Sequence, residues 1–145
     1  MLSTNSVATD DVGFLLAKAS AHFNELLVKR FAAAGFPEVR PSYGSVLVPL
    51  FDQDGLRLGE LAAAARLSKQ AMTGLVARCE SDGLVEREQD PSDRRAFVIR
   101  LSARGWRFRS TAEQELAELD DRLRDMLGAR DRDALVKALK GVMDL

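Results

Sequence analysis

The sequence predicts a mainly α-helical chain with one small β-hairpin, an α+β arrangement in which long helices flank a compact central unit. Three observations predict it. Apolar residues recur at spacings of three and four over most of the 145 residues. The period shortens to two over one stretch, 96–101, just after a turn-rich run. The charge is also uneven. Residues 66–110 carry ten Lys/Arg against six Asp/Glu, whereas both flanks are net acidic.

Composition sets the outer bounds. Hydrophobic residues make up 46% and charged residues 30%, which excludes a disordered chain and fits one domain. No stretch approaches the roughly 20 uncharged apolar residues of a membrane span. The polar N-terminus lacks a basic start and an apolar core, so no secretory signal is expected. One cysteine, Cys79, and one histidine, His22, leave neither an internal disulfide nor a zinc site. The expected compartment is a reducing cytoplasm. A net charge of −1 argues against nucleic acid, but it averages over a basic middle and two acidic ends.

The first helix is expected from about Asp10 to Ala34. Val12, Leu15, Leu16, Ala19, Phe23, Leu26, Leu27 and Phe31 form its apolar face, and Gly35 and Pro37 end it. A second helix, capped by Ser42, runs through Phe51, with Pro49 expected to kink or shorten it. Arg57–Ala65 is an alanine-rich third helix. Ser68 caps a fourth over Lys69–Ser81, which buries Met72, Leu75, Val76 and Cys79 and stops at Asp82-Gly83. Leu84–Arg87 and Ala96–Leu101 then read as two strands around a charged tip holding Asp90, Asp93, Arg94 and Arg95. In the second strand Phe97, Ile99 and Leu101 are set to point inward, and Val98 and Arg100 outward. Ser102 caps a fifth helix, along which Ala112, Leu116, Leu119, Leu123 and Met126 make a short heptad seam. After Gly128 a last helix starts near Asp131, with Leu135, Leu139 and Val142 on one face.

Two helices joined by the tight turn Arg66-Leu67-Ser68 and followed by a hairpin make a winged helix-turn-helix. Ser68, Lys69, Gln70 and Thr73 lie at the exposed start of the second helix. All four can donate hydrogen bonds, and lysine and glutamine suit guanine and adenine edges. Arg78 can reach a phosphate. Arg94 and Arg95 at the hairpin tip suit a narrow minor groove, with Asp93 placed to hold one guanidinium. No nucleophile–base pair, phosphate-binding glycine loop or metal spacing points to an enzyme, and no cofactor is expected.

At this point the sequence resembles a known family. Leu58-Gly59-Glu60-Leu61-Ala62 through Leu67-Ser68, Thr73-Gly74-Leu75-Val76, Glu80 through Arg87, and above all the wing Asp90-Pro91-Ser92-Asp93-Arg94-Arg95-Ala96 followed by Val98 through Gly105 resemble MarR-type transcriptional regulators. The resemblance implies a homodimer on a pseudo-palindromic DNA duplex, probed by two recognition helices about one turn apart. It implies dimerisation helices at 1–40 and 102–145 around a DNA-binding lobe at 41–101. The interface candidates are Leu15, Leu16, Phe23, Leu116, Leu119, Leu123, Met126, Leu135 and Leu139. It also implies a small, aromatic or phenolic effector between these parts, with His22, Phe23, Arg40, Tyr43 and Phe51 as candidate lining, and repression that the effector relieves. The chain departs from the family pattern at Cys79, where leucine is usual, and at Pro49. With no cysteine in residues 1–35, Cys79 is expected to be a core residue rather than a redox sensor. A winged-helix module for protein–protein contact is the alternative function.

Overall fold

The computed structural model describes residues 7–145. Residues 1–6, which carry much of the polar stretch behind the expectation of no secretory signal, lie outside it. No described helix is long and apolar enough to cross a membrane.

Helix α1 (Val7–Asp10) is a single turn, and α2 (Val12–Ala33) is the long first helix. The Asp11 carboxylate caps α2 by accepting the Phe14 N–H at 2.9 Å. A 3₁₀ turn (Pro41–Tyr43) leads into α3 (Gly44–Asp52). Ser42 lies inside that turn and caps nothing. The residue before α3 is Tyr43, whose side chain makes no capping bond. Pro49 does not shorten α3, which continues to Asp52. The ring removes one hydrogen bond, but Val46, Leu47 and Leu50 are fully buried around it and hold the segment.

Strand β1 (Leu56–Arg57) precedes α4 (Leu58–Ala65), so Arg57 is the residue before the third helix rather than part of it. Helix α5 (Lys69–Ser81) starts at Ser68, whose hydroxyl oxygen accepts the Ala71 N–H at 3.1 Å. Between α4 and α5, Arg66 adopts a left-handed conformation (φ 55°, ψ 39°), which reverses the chain within three residues.

Strands β2 (Val85–Asp90) and β3 (Asp93–Leu101) form the wing, joined by Pro91-Ser92. Sheet order is β1-β3-β2, all antiparallel, with Arg57 opposite Val98 and Gln89 opposite Phe97. The inward face of β3 differs from the alternation expected. Val98 is buried and Phe97 is half exposed; β1 pairs with β3 at Val98 and Ile99 and stops short of Phe97. The strands also reach further towards the tip than expected, and Asp90 is buried rather than part of a charged tip.

Helix α6 (Ala103–Leu127) is capped by Ser102, whose Oγ accepts the Gly105 N–H at 3.0 Å. Gly128 (φ 82°) breaks the chain before α7 (Ala129–Met143), which starts two residues earlier than expected. A Cβ on Gly105 would sit 2.2 Å from the Leu84 carbonyl oxygen, since α6 docks its first turn directly on the start of β2. Gly105→Ala is therefore expected to lower stability by about 3 kcal/mol, read as a reduced urea midpoint. An unchanged midpoint would show that the backbone yields there.

One core serves the winged lobe. Leu47, Leu50, Leu61, Met72, Val76 and Leu84 fill it, and Phe108 joins it by edge-on contacts to Phe31 of α2 at 4.9 Å and to Phe36, just after α2, at 5.1 Å. The terminal helices contribute little. Phe31 is the only buried residue of α2 among those described, and α7 has none. Val12, Phe14, Leu15, Leu116, Met126, Leu135, Leu139 and Val142 stay exposed. Leu119, by contrast, is already buried by its own chain.

Candidate nucleic-acid interface

The first turn of α5 and the tip of the wing are both exposed. Ser68, Lys69, Gln70 and Thr73 are all exposed on α5. Two of them have committed part of their hydrogen-bonding capacity. The Ser68 oxygen caps the helix, and the Thr73 hydroxyl donates to the Lys69 carbonyl at 2.7 Å. Thr73 therefore keeps an acceptor and a methyl group, and it is not a free donor.

Ion pairing sorts the ten cations of the basic segment. Arg66, Arg87, Arg100, Arg104 and Arg109 each face an acid of the chain, at Asp144, Glu80, Glu88, Glu38 and Glu113. Among the described residues Lys69, Arg78, Arg94, Arg95 and Arg107 form no ion pair. Four of these five are the cations that the sequence places against DNA. Their charge is not neutralised within the fold, which is the electrostatic requirement for meeting phosphate.

Lys69 and Arg95 line one cleft between the helix-turn-helix and the wing, together with Arg57, Arg87 and Phe97. Asp93 does not pair with a guanidinium. Its Oδ1 accepts the Arg95 backbone N–H at 3.0 Å and so shapes the turn. The acid that does hold a guanidinium is Asp90. Its Oδ2 accepts Arg57 Nε at 2.8 Å and also Arg57 Nη2, and its Oδ1 accepts the Ser92 N–H and hydroxyl at 2.9 and 2.7 Å. The sequence did not single out Arg57, because 33 residues separate it from its partner.

The Ser92 N–H, the Ser92 hydroxyl and then Arg57 lower the Asp90 carboxyl to a pKa of about 2 from an ordinary 3.8. A depressed carboxyl pKa stabilises the fold above the unfolded value and loses that contribution as pH falls towards the folded one. The urea-midpoint gap between wild type and Asp90→Asn should hold constant from pH 8 to about 5 and narrow below about 4. A gap that stays constant down to about pH 3 would contradict this assignment.

The expected effector residues do not converge. A hollow of about 180 Å³ between α2, α3 and α6 is lined by Arg40 and Phe51 with Leu27, Phe31, Val48 and Phe108. His22 is exposed elsewhere on α2. Phe23 lines a separate groove with Leu123 and Arg132. Tyr43 is buried, and its hydroxyl donates to Asp82 Oδ2 at 2.5 Å. It is a strut between the 3₁₀ turn and the end of α5, and burial and Asp82 push its pKa up to about 12. Cys79 is fully buried, and burial, with Asp82 adding to it, pushes its thiol up to about 12. A thiol-specific reagent at pH 8 should therefore label native Cys79 only as fast as the lobe unfolds. Rapid labelling of the folded protein would reopen a redox role.

Comparison with known proteins agrees with this geometry. The MarR family model matches residues 41–97. The transcriptional regulator HosA of Escherichia coli O111:H- is 27% identical over 105 residues, covering 72% of this chain and 77% of HosA. Two solved structures of the repressor CouR also align. CouR of Rhodococcus jostii RHA1 bound to p-coumaroyl-CoA is 28% identical, with 94% of each chain covered and a TM-score of 0.74. CouR bound to a 23-mer DNA duplex is 25% identical, with 95% and 96% covered and a TM-score of 0.76. The helix-turn-helix and the wing thus lie in the part of the chain that matches the MarR family model, and most of the chain is similar to DNA-binding transcriptional regulators.

Proposed function

We propose that the chain acts as a homodimeric repressor that binds a pseudo-palindromic DNA duplex and is released by a small aromatic acid or phenol. The observation that carries the DNA reading is the set of cations at the start of α5 and on the wing that have no acid partner among the described residues. In this reading residues 41–101 are the DNA-binding lobe, and 1–40 and 102–145 supply the dimer. Ser68, Lys69, Gln70 and Thr73 meet the major groove, Arg78 a phosphate, and Arg94 and Arg95 the minor groove. CouR, solved both on DNA and with p-coumaroyl-CoA, supports the pairing of the two activities.

The effector reading rests on the hollow beside Arg40. Its walls are apolar, and one cation lies at its edge, which suits a flat ring carrying a carboxylate. At about 180 Å³ it matches a single ring; an engineered cavity of roughly 150 Å³ holds benzene.

A gel-shift assay on the DNA upstream of the protein's own coding region, at two salt concentrations, tests the reading. Binding should weaken by orders of magnitude between about 50 and 200 mM salt, and a single-ring aromatic acid should reverse it. No binding at low salt, or binding indifferent to salt, would favour the protein–protein module.

A further inference from the structure

We infer that Arg57 is a positioning residue of the wing, clamping its turn to the helix-turn-helix through Asp90 so that the minor-groove arginines keep a fixed relation to α5. The inference rests on the DNA reading above and adds to it a residue that touches no DNA in that reading.

Three observations meet at Arg57. Its backbone belongs to β1, paired opposite Val98 of β3. Its N–H donates to Glu60 Oε1 at 3.1 Å, which fixes the start of α4. Its guanidinium holds Asp90 through two nitrogens, at the residue that begins the wing turn. β1 and β2 are not neighbours, so this side chain reaches across the middle strand. Asp90 also holds Ser92, and Asp93 holds the Arg95 N–H, so a chain of bonds runs from α4 to the backbone of Arg95. A two-stranded ribbon is flexible by itself, and β1 supports β3 only at Val98 and Ile99. Beyond that point the Arg57–Asp90 pair is the side-chain hydrogen-bonded tie between tip and lobe among the described residues. With its carboxylate nearly buried and held by two guanidinium nitrogens, the pair has the geometry of a strong charge-assisted contact.

The sign of one mutant effect separates positioning from bulk electrostatics. Asp90→Asn removes a negative charge, so charge alone predicts tighter DNA binding. Loss of the clamp predicts weaker binding. The measurement is fluorescence anisotropy with a labelled duplex from the upstream region, at one fixed salt concentration. Arg57→Gln and Asp90→Asn are each expected to weaken binding about ten-fold, and Arg57→Lys, which keeps the charge, about three-fold or less. Added to Arg94→Ala with Arg95→Ala, either change should weaken binding by less than about two-fold more, since no minor-groove arginine is left to misplace. Hydrogen exchange at 93–97 should quicken in Arg57→Gln, whose half-exposed side chain can be removed without unfolding the lobe.

Tighter or unchanged binding by Asp90→Asn, losses that add fully to those of the wing arginines, or unchanged exchange at the tip would each overturn the clamp. If the wild-type protein fails to bind the duplex, the DNA reading falls and the clamp falls with it. If wild type binds and the variants bind equally well, the clamp alone fails.

Discussion

Replacing Arg94 and Arg95 together with alanine is expected to lower affinity for the operator duplex about a hundred-fold, at about 1–2 kcal/mol for each guanidinium removed from the proposed groove contact. Neither guanidinium has an ion-pair partner among the described residues, so truncation leaves no buried acid behind. The backbone features of the tip do not depend on these side chains. Gln89 donates to the Arg94 carbonyl, and Asp93 accepts the Arg95 N–H, and alanine retains both groups. Thermal stability should therefore stay within about 0.5 kcal/mol of wild type, as usual for exposed positions. Arg100→Ala is the matching control. Arg100 lies on the same strand but is engaged with Glu88 at 2.6 Å, so truncating it should change affinity little. Anisotropy titrations of the two variants at one salt concentration decide the matter. Equal losses would mean that total charge, and not placement at the tip, governs binding.

That contrast also shows where sequence reading reached its limit. Ser68 and Ser102 were legible as helix caps because a cap acts on an N–H three residues away, and local spacing carries all of its chemistry. The helix-turn-helix and the wing turn were legible for the same reason. Ile99 and Leu101 are buried as expected, but the alternation fails at Phe97 and Val98, because periodicity does not say where a neighbouring strand ends. Here a two-residue strand, too short to leave a pattern of its own, pairs with Val98 and Ile99 and stops before Phe97. Tyr43 resembled pocket lining because an aromatic near the lobe junction has two possible roles. Only its bond to Asp82, 39 residues away, decides between them. Asp93 and Asp90 exchanged roles likewise. The sequence places Asp93 beside two arginines, whereas the fold brings a third, Arg57, to Asp90. Pairings that cross the fold carry no signal in a single sequence.

The second large effect concerns the terminal helices. Met126→Glu combined with Leu139→Glu is expected to give a monomer whose DNA affinity is lower by about 10² to 10⁴, the factor that two linked half-sites supply through effective concentration. Both side chains are exposed in the single chain, Met126 more than Leu139, so the substitutions take little from its internal packing. What they oppose, in the proposed dimer, is the burial of exposed apolar residues of α2, α6 and α7, among them Leu15, Leu116, Met126, Leu135 and Leu139. A charge set among them must be desolvated on assembly, and two per chain mean four in the dimer. The lobe core is contained within one chain, with Leu47, Leu61, Met72 and Leu84 covered without any partner. The winged lobe of the variant should therefore keep its helical signal while α2 and α7, which bury almost nothing alone, fray and exchange amide hydrogens quickly. Sedimentation velocity at micromolar concentration reads the assembly, and anisotropy reads the DNA. A fully monomeric variant that still bound the duplex with wild-type affinity would show that one lobe suffices. It would leave the exposed apolar residues of the terminal helices without the role assigned to them.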